Sequence, residues 1–212
     1  MRALIISGGI KPSNEIILKY VEKSDVIIGV DKGCNYLIDI DKTPNYIVGD
    51  FDSVDKKNLK ILEEAKVTKY QYEAEKDYTD SELAFILAFE LGVTEISFIG
   101  ATGSRFDHTI GSLGLLKKSM ERGIKATIID DNNKITIINK KTELEKDNNY
   151  KYISFLAYDN TVEDFSIRGA KYVIKNYRLE VGDNRTISNE FLNTIISVEF
   201  NEGNILIVYS RD

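Results

Sequence analysis

Short apolar runs alternate with helix-like stretches over roughly the first 130 residues of the chain. Each run is bounded by glycine, proline or polar turn residues, which is typical of a buried strand. The predicted strands cover residues 3–6, 25–30, 46–48, 67–72, 95–99 and 125–129. Strands that alternate with helices are joined by right-handed crossovers into a mainly parallel sheet with helices on both faces. The first part of the chain is therefore predicted to be an α/β domain.

The pattern changes after residues 131–133. Short strand-like runs then recur with polar turns between them and without a long helical period, at residues 135–138, 152–157, 165–168, 172–174, 194–199 and 205–209. Such spacing is typical of an antiparallel sandwich or barrel. We predict two domains, an α/β domain over residues 1–132 and an all-β domain over residues 133–212.

Composition narrows the function classes. The net charge is −6, whereas binding to nucleic acid or an anionic membrane needs a basic face, so neither partner is expected. No apolar run approaches the ~20 residues of a membrane span, and the start of the chain does not resemble a signal peptide, so we expect a cytoplasmic protein. The chain has one cysteine, Cys34, and one histidine, His108, so a site of several Cys or His ligands is excluded. Carboxylates are left as metal ligands, and their oxygens favour magnesium, calcium or manganese.

Two carboxylates follow the third predicted strand, in Gly49-Asp50-Phe51-Asp52-Ser53. Side chains two apart on an extended backbone point to the same side, so Asp50 and Asp52 are expected to face one space, with Phe51 turned the other way. Like charges that close need a cation between them. The alternative interpretation is that Asp52 and Ser53 cap the following helix while Asp50 is an exposed turn residue.

Other acidic residues fall at corresponding places. Ligands of an open parallel sheet bind beyond the carboxyl ends of its strands. Asp31, Asp77, Asp80 and Asp107 all lie at such positions, so we predict a shared acidic basin. Thr79-x-x-Glu82 also matches a capping box, which by itself would account for a helix that begins near Asp80.

Phosphate-binding groups lie beside the predicted basin. Arg105 can bind phosphate with two parallel hydrogen bonds, and the glycine-rich loop over residues 100–104 exposes backbone N–H groups. Lys76, before the acidic turn, is either a phosphate ligand or a solvated charge. His108 is more compatible with an orienting role than with metal ligation. Carboxylates, magnesium and phosphate donors together indicate phosphoryl-group chemistry.

In their order and spacing, these motifs are similar to those of one known family. The set is Asp31-Lys32-Gly33, Gly49-Asp50-Phe51-Asp52-Ser53, Lys76-Asp77-x-Thr79-Asp80, Gly100-x-x-Gly103-x-Arg105-x-Asp107-His108 and Ile187-Ser188-Asn189-Glu190-Phe191. Together they resemble bacterial thiamine pyrophosphokinase over nearly the whole chain. The resemblance implies transfer of a pyrophosphoryl group from ATP to thiamine. It also implies a homodimer whose active sites lie between the α/β domain of one subunit and the thiamine-binding, dimerising β domain of the other.

The resemblance also implies roles for individual residues. Asp50, Asp52 and Asp80 would bind Mg²⁺; Asp31, Asp80, Arg105 and Asp107 would be catalytic; Lys76, Thr79, Gly100, Gly103, Ser104, Arg105 and His108 would bind ATP; Ser188 and Asn189 would bind thiamine. Two features depart from the family pattern: Ser104 stands where glycine is more usual, and the chain has no tryptophan to stack on the vitamin. A metal-dependent nucleotide pyrophosphohydrolase and a non-catalytic nucleotide or vitamin sensor remain alternatives.

Overall fold

The structure is a computed structural model, and it describes residues 1–71, 78–103 and 105–212. The chain divides into two compact units, Met1–Asp131 and Asn132–Asp212. Within the described ranges, no helix combines the length and the apolar character needed to cross a membrane.

The first unit alternates strands and helices. Its described elements are β1 Arg2–Ile6, α1 Asn14–Lys23, β2 Val26–Val30, α2 Gly33–Ile38, β3 Tyr46–Gly49, α3 Lys56–Glu64, β4 Thr68–Gln71, α4 Asp80–Glu90, β5 Glu95–Ile99, α5 Phe106–Glu121 and β6 Lys125–Ile129. The strands lie in the order β4-β3-β2-β1-β5-β6, and each neighbouring pair is parallel. The predicted α/β sheet is confirmed.

Helices cover the sheet of the first unit and bury its apolar side chains. Leu4 and Ile6 of β1 belong to one apolar cluster with Ile17 of α1 and Leu37 of α2. Helix α4 packs against β1, β2 and β3 and is apolar along most of its length, since it buries Leu83, Ala84, Phe85, Leu87 and Ala88. A parallel sheet covered in this way leaves the carboxyl ends of its strands as the accessible edge.

The second unit, all of whose residues are described, consists of strands in two antiparallel sheets. The strands are β7 Asn133–Ile138, β8 Thr142–Glu145, β9 Tyr152–Ala157, β10 Val162–Arg168, β11 Ile174–Leu179, β12 Ile195–Glu199 and β13 Ile205–Ser210. Within this unit one sheet has the order β7-β13-β9, and the other has the order β11-β10-β12-β8. The predicted all-β architecture is confirmed.

Both sheets of the second unit contribute to one apolar core. Phe155 of β9 and Phe165 of β10 lie with their ring centroids 5.9 Å apart, and both are fully buried. The largest differences from the sequence prediction concern β11 and β8. Strand β11 begins at Ile174, where the strand was expected to cover residues 172–174, and β8 was not predicted because Leu144 is the only apolar residue in it.

Candidate active site

Two loops meet at the point where the strand order reverses. Strands β2 and β5 lie on opposite sides of β1, so the loops that follow β1 and β5 border a crevice of the kind that binds ligands in open α/β sheets. The N–H of Ser7 donates to the Ile99 carbonyl oxygen, and that of Gly9 donates to the Gly100 carbonyl oxygen, both at 2.8 Å. The two loops are therefore bonded together along their length.

The close approach of these loops depends on glycine. A Cβ on Gly9 would lie 2.2 Å from the Thr102 carbonyl oxygen and 2.4 Å from that of Gly100. Gly100 has φ +64°, and a Cβ there would lie 2.2 Å from the Ser7 carbonyl oxygen. The N–H of Gly103, predicted to face phosphate, donates to Thr109 Oγ1 at 3.3 Å. Ser104 lies outside the described residues.

Asp31 follows β2 and forms a hydrogen bond with Asp80 at the start of α4. Burial, followed by the charge and the hydrogen bond of Asp80, raises the pKa of Asp31 to about 7. The N–H of Phe51 also reaches Asp31 Oδ1 at 3.4 Å and acts in the opposite direction on that pKa. Two predicted site residues from distant parts of the chain are thus in contact, and the raised pKa of Asp31 lets its carboxyl bind a proton near neutral pH.

Asp50 and Asp52 form a second carboxylate pair, in the segment that we call the acid loop, residues 50–55. The charge of Asp50 and its hydrogen bond to Asp52 raise the pKa of the Asp52 carboxyl. The two carboxylates face one space as predicted. The prediction assumed an extended backbone, however, and that assumption is wrong. Strand β3 ends at Gly49, and Phe51 has φ +65°, so a turn brings the pair together.

Gly49 makes room for the Asp31 carboxylate. Its φ is +137°, and a Cβ at this position would lie 1.7 Å from Asp31 Oδ1. Phe51 is buried with Cys34, Ile47 and other apolar residues, which anchors the acid loop to the core. The alternative cap interpretation of Asp52 and Ser53 is wrong because α3 begins at Lys56 with Asp55 as its N-cap residue.

Arg105 and Asp107, predicted as separate catalytic groups, form a two-bond ion pair. Arg105 Nη2 lies 2.6 Å from Asp107 Oδ2, and Arg105 Nε lies 3.3 Å from Oδ1. The guanidinium lowers the pKa of Asp107, and the pairing raises the pKa of Arg105. Both side chains are largely exposed, at 71% and 64%. His108 is also exposed, and its N–H donates to Asp107 Oδ1 at 3.0 Å.

Thr79 caps α4, as its sequence context predicts. Its hydroxyl oxygen accepts the N–H of Glu82 at 3.3 Å. The cap fixes the first turn of the helix, which carries Asp80, and Ser81 joins that turn to the β1 loop through a 2.8 Å hydrogen bond to Ser7. Lys76 and Asp77 lie outside the described residues.

Ser188 and Asn189, both in the second unit, differ in their exposure. Ser188 is exposed and has φ +58°, and its N–H donates to Ser154 Oγ at 3.0 Å. Asn189 is only 2% exposed. Its side-chain amide donates to the Tyr172 carbonyl oxygen at 2.8 Å, and its Oδ1 accepts the N–H groups of Tyr172 and Glu190. The Asn189 side chain thus supports the neighbouring turn.

Comparison with known proteins decides the family. Residues 17–128 match the family described as thiamin pyrophosphokinase, catalytic domain, and residues 136–205 match thiamin pyrophosphokinase, vitamin B1 binding domain. The chain is 34% identical over 209 residues to a Bacillus subtilis protein named thiamine pyrophosphokinase, with 98% of both chains covered. The chain belongs to the thiamine pyrophosphokinase family. The resemblance carried by the sequence motifs is confirmed.

Solved structures of the thiamine pyrophosphokinase family share the whole fold. The thiamine pyrophosphokinase of B. subtilis has a TM-score of 0.92 at 32% identity, with all of both chains covered. The thiamin pyrophosphokinase of Geobacillus thermodenitrificans has a TM-score of 0.88 at 31% identity and covers all of this chain and 98% of its own. The yeast enzyme, at 21% identity and a TM-score of 0.83, shares the fold.

The paired Asp carboxylates of this family member are oxygen ligands of the kind that a hard divalent cation such as Mg²⁺ prefers. In the described ranges, no group of three or more His, Cys, Asp or Glu side chains is gathered closely enough to hold a metal ion. Mg²⁺, however, is usually bound by only one or two carboxylates together with waters and substrate phosphates. The Asp31–Asp80 and Asp50–Asp52 pairs supply oxygen ligands whose mutual repulsion a cation would relieve.

Three supporting residues of this family member were not predicted from the sequence. The Tyr36 hydroxyl donates to the Gly9 carbonyl oxygen at 2.6 Å, and Asp130 accepts the Thr102 hydroxyl at 3.1 Å, so both hold the glycine loops. Asn35 is bonded to the acid loop. Their contacts join parts of the chain that are far apart in sequence, so no local motif indicated them.

Proposed function

We propose that this protein is a thiamine pyrophosphokinase, which transfers the pyrophosphoryl group of ATP to the hydroxyl group of thiamine and forms thiamine diphosphate and AMP. The observation that carries this proposal is the match along 98% of the chain to a protein named for that activity. Both family domains also occur here in one chain. The cytoplasmic location stays a prediction.

The reaction requires an in-line displacement at phosphorus. The hydroxyl oxygen of thiamine attacks the β-phosphorus of ATP, the bond from that phosphorus to the oxygen bridging to the α-phosphorus breaks, and AMP leaves with that oxygen. In this family Asp50, Asp52 and Asp80 would hold Mg²⁺ against the triphosphate. A bound Mg²⁺ would neutralise charge that develops on the phosphate oxygens.

The hydroxyl proton must leave thiamine during the attack. A neutral alcohol is a poor nucleophile, so a carboxylate has to accept its proton or orient it. Asp31 and Asp80 support this proposal because they are hydrogen-bonded and because the pKa of Asp31 is about 7, close to working pH. We assign the proton transfer to Asp31, with Asp80 as its hydrogen-bond partner.

The exposed guanidinium of Arg105 and the glycine loops are the proposed phosphate-binding groups. Two bonds to Asp107 occupy Nε and Nη2 of Arg105, and a guanidinium has five N–H donors, so others can reach phosphate oxygens. We propose that Asp107 orients Arg105 and that His108, Thr79 and the loops containing Gly100 and Gly103 complete the ATP site. The roles of Lys76 and Ser104 stay predictions.

Thiamine would be bound by the second unit of a partner chain. We propose a homodimer in which the Ser188 turn of one subunit faces the catalytic unit of the other. The exposure of Ser188 supports a contact with the ligand, and the hydrogen bonds of Asn189 to Tyr172 and Glu190 support a role in shaping the turn. A shared site of this kind makes the dimer the active species.

Product analysis tests the reaction. Purified protein is incubated with Mg²⁺, thiamine and ATP labelled in its β-phosphate, and the products are separated by chromatography. We expect AMP and labelled thiamine diphosphate in equal amounts, and no AMP when thiamine is omitted. The Asp80→Asn variant, purified in parallel, controls for contaminating enzymes. ADP with thiamine monophosphate would contradict pyrophosphoryl transfer, and AMP formed without thiamine would indicate a pyrophosphohydrolase.

Mixed dimers test the shared site. Asp80→Asn removes a charge from the catalytic unit, and Ser188→Trp fills the space in front of the thiamine turn, so each variant alone should be inactive. In a mixed dimer both defects fall in one site and leave the other intact. Random mixing gives about half mixed dimers, so roughly a quarter of wild-type activity should return.

The introduced tryptophan also reports subunit exchange. The chain has no tryptophan of its own, so the indole fluorescence of the Ser188→Trp variant can follow the formation of mixed dimers without a background signal. A mixture of Asp80→Asn with Asp52→Asn is the matched control, because both defects lie in the same unit and activity should not return. Complete exchange without recovery of activity in the first mixture would place the whole site within one chain.

A further inference from the structure

Asn35 is a buried amide beside the acid loop whose contacts reach both the loop and α3. It lies on α2 and is 7% exposed. Its Oδ1 accepts the N–H of Asp55 at 3.1 Å and the side-chain amide of Asn58 at 3.1 Å. Its Nδ2 lies 3.5 Å from the Ser53 carbonyl oxygen, at the outer limit for a hydrogen bond.

The start of α3 depends on this amide. The N-cap residue Asp55 makes no side-chain cap bond, and its own N–H donates to Asn35 Oδ1. Asn58, in the first turn of α3, is also 7% exposed and uses its amide on the same oxygen. A buried amide oxygen that accepts two donors is well satisfied, and removing it would leave the buried Asn58 amide and the partly buried Asp55 N–H without that partner.

The acid loop is therefore held at both ends. At its beginning, the Phe51 ring is packed in the apolar cluster and the Phe51 N–H faces Asp31 Oδ1. At its end, Asn35 bonds the Asp55 N–H and the Asn58 amide. Asp52 lies between these two attachments, and Asp50 directly precedes the first of them, so the acid loop that carries both carboxylates is fixed on each side of Asp52.

We infer that Asn35 is a positioning residue for the proposed metal site, because it fixes the acid loop so that Asp50 and Asp52 present their oxygens together to a divalent cation. This inference deepens the proposed function and rests on it. Asn35 acts through the Asp55 N–H and the Asn58 amide, and its role is to set the conformation of the loop.

The test measures cation binding directly. The probe is Mn²⁺ with α,β-methylene-ATP, an analogue in which the link between the α- and β-phosphorus cannot be cleaved, so no pyrophosphoryl group is transferred. Free Mn²⁺ is followed by electron paramagnetic resonance. Loss of residues that orient metal ligands typically weakens metal binding by about 10–100-fold. We expect Asn35→Ala to raise the Kd for Mn²⁺ by about tenfold. Asn58→Ala, which leaves Asn35 in place, should raise it by a smaller factor.

The matched control is Asn45→Ala. Asn45 Oδ1 accepts the N–H of Ile27 at 2.7 Å, so it is also an amide that holds backbone, but it lies at the opposite end of β3 from the acid loop. All variants are measured well below their melting temperatures. Asn45→Ala should lose stability without a change in Kd. A purely structural role of Asn35 would give the same result for Asn35→Ala.

Two outcomes overturn the inference. One is a Kd for Asn35→Ala within twofold of wild type; the other, if that variant does not fold, is an unchanged Kd for Asn58→Ala. Failure of the proposed function is distinguishable, because the binding measurement contains no thiamine. A wild-type protein that binds Mn²⁺ with the analogue but forms no thiamine diphosphate contradicts the proposed function and leaves the role of Asn35 to be decided by the Kd values.

Discussion

Replacing Asp52 by Asn should nearly abolish activity while the protein stays folded. The change removes one negative oxygen ligand and nearly preserves the shape of the side chain. Charge stabilisation by a metal ion is worth several kcal/mol in the transition state, so we expect kcat/KM to fall by about 10²–10³-fold. Steady-state assays over a range of Mg²⁺ concentrations measure the loss.

The stability of the metal-free variant should change in the opposite direction. Asp50 raises the pKa of the Asp52 carboxyl, so the folded state binds protons more tightly than the unfolded state. The stabilisation from that proton is complete below the unfolded pKa and is lost as pH rises through the folded pKa. Asp52→Asn should therefore melt at a higher temperature than wild type near pH 8 without metal, and the difference should vanish below about pH 3, where Asp52 is protonated in both the folded and the unfolded state.

Asp55→Asn is the matched control for Asp52→Asn. Asp55 is exposed in the same loop and makes no side-chain cap bond, and Asn is as good an N-cap residue as Asp. Its activity and its melting temperature at pH 8 should stay close to wild type. Near-wild-type turnover of Asp52→Asn at low Mg²⁺ would show that Asp52 is not a metal ligand.

Replacing Gly49 by Ala should produce the largest loss of stability. A Cβ there would lie 1.7 Å from Asp31 Oδ1, and the φ of +137° is strained for any L side chain. Because Asp31 is itself bonded to Asp80, it cannot move aside without breaking the carboxylate pair. We expect the free energy of unfolding, measured with urea in the absence of metal, to fall by about 3–5 kcal/mol.

Gly92→Ala separates the two causes of that loss. Gly92 has φ +74°, but no heavy atom lies within 4 Å of a Cβ built on it, so Ala there adds backbone strain alone and should cost about 1 kcal/mol. Adding Asp31→Ala to Gly49→Ala should recover part of the stability by removing the clash. If Gly49→Ala costs no more than Gly92→Ala, the close contact with Asp31 does not determine the need for glycine.

Local features of the site could be predicted from the sequence. Thr79 caps α4 because its hydroxyl and the Glu82 N–H are three residues apart, which a motif shows directly. The Asp50–Asp52 pair was also predicted, although through an extended geometry that the turn at Phe51 replaces. A turn and an extended strand end can both bring Asp50 and Asp52 together. The φ angle of Phe51 distinguishes the two geometries.

Contacts between distant segments could not be predicted in the same way. Nothing near Asn35 in sequence specifies that its amide meets Asp55 and Asn58, since that contact exists only after α2 and α3 pack. Asn189 was predicted as a ligand contact, but its direction is set by the backbone of Tyr172, which no spacing rule includes. Burial and partner choice are properties of the assembled fold.

The bonded glycine loops have a consequence for evolution and engineering. The missing side chain of Gly9 makes room for the carbonyl oxygens of Gly100 and Thr102, and the missing side chain of Gly100 makes room for that of Ser7. Neither loop can therefore accumulate substitutions independently, although more than 80 residues separate them in the sequence. Sequence diversity aimed at new substrates is better introduced at neighbours with exposed side chains, such as Ile10 and Phe106, whose replacement leaves the backbone contact intact.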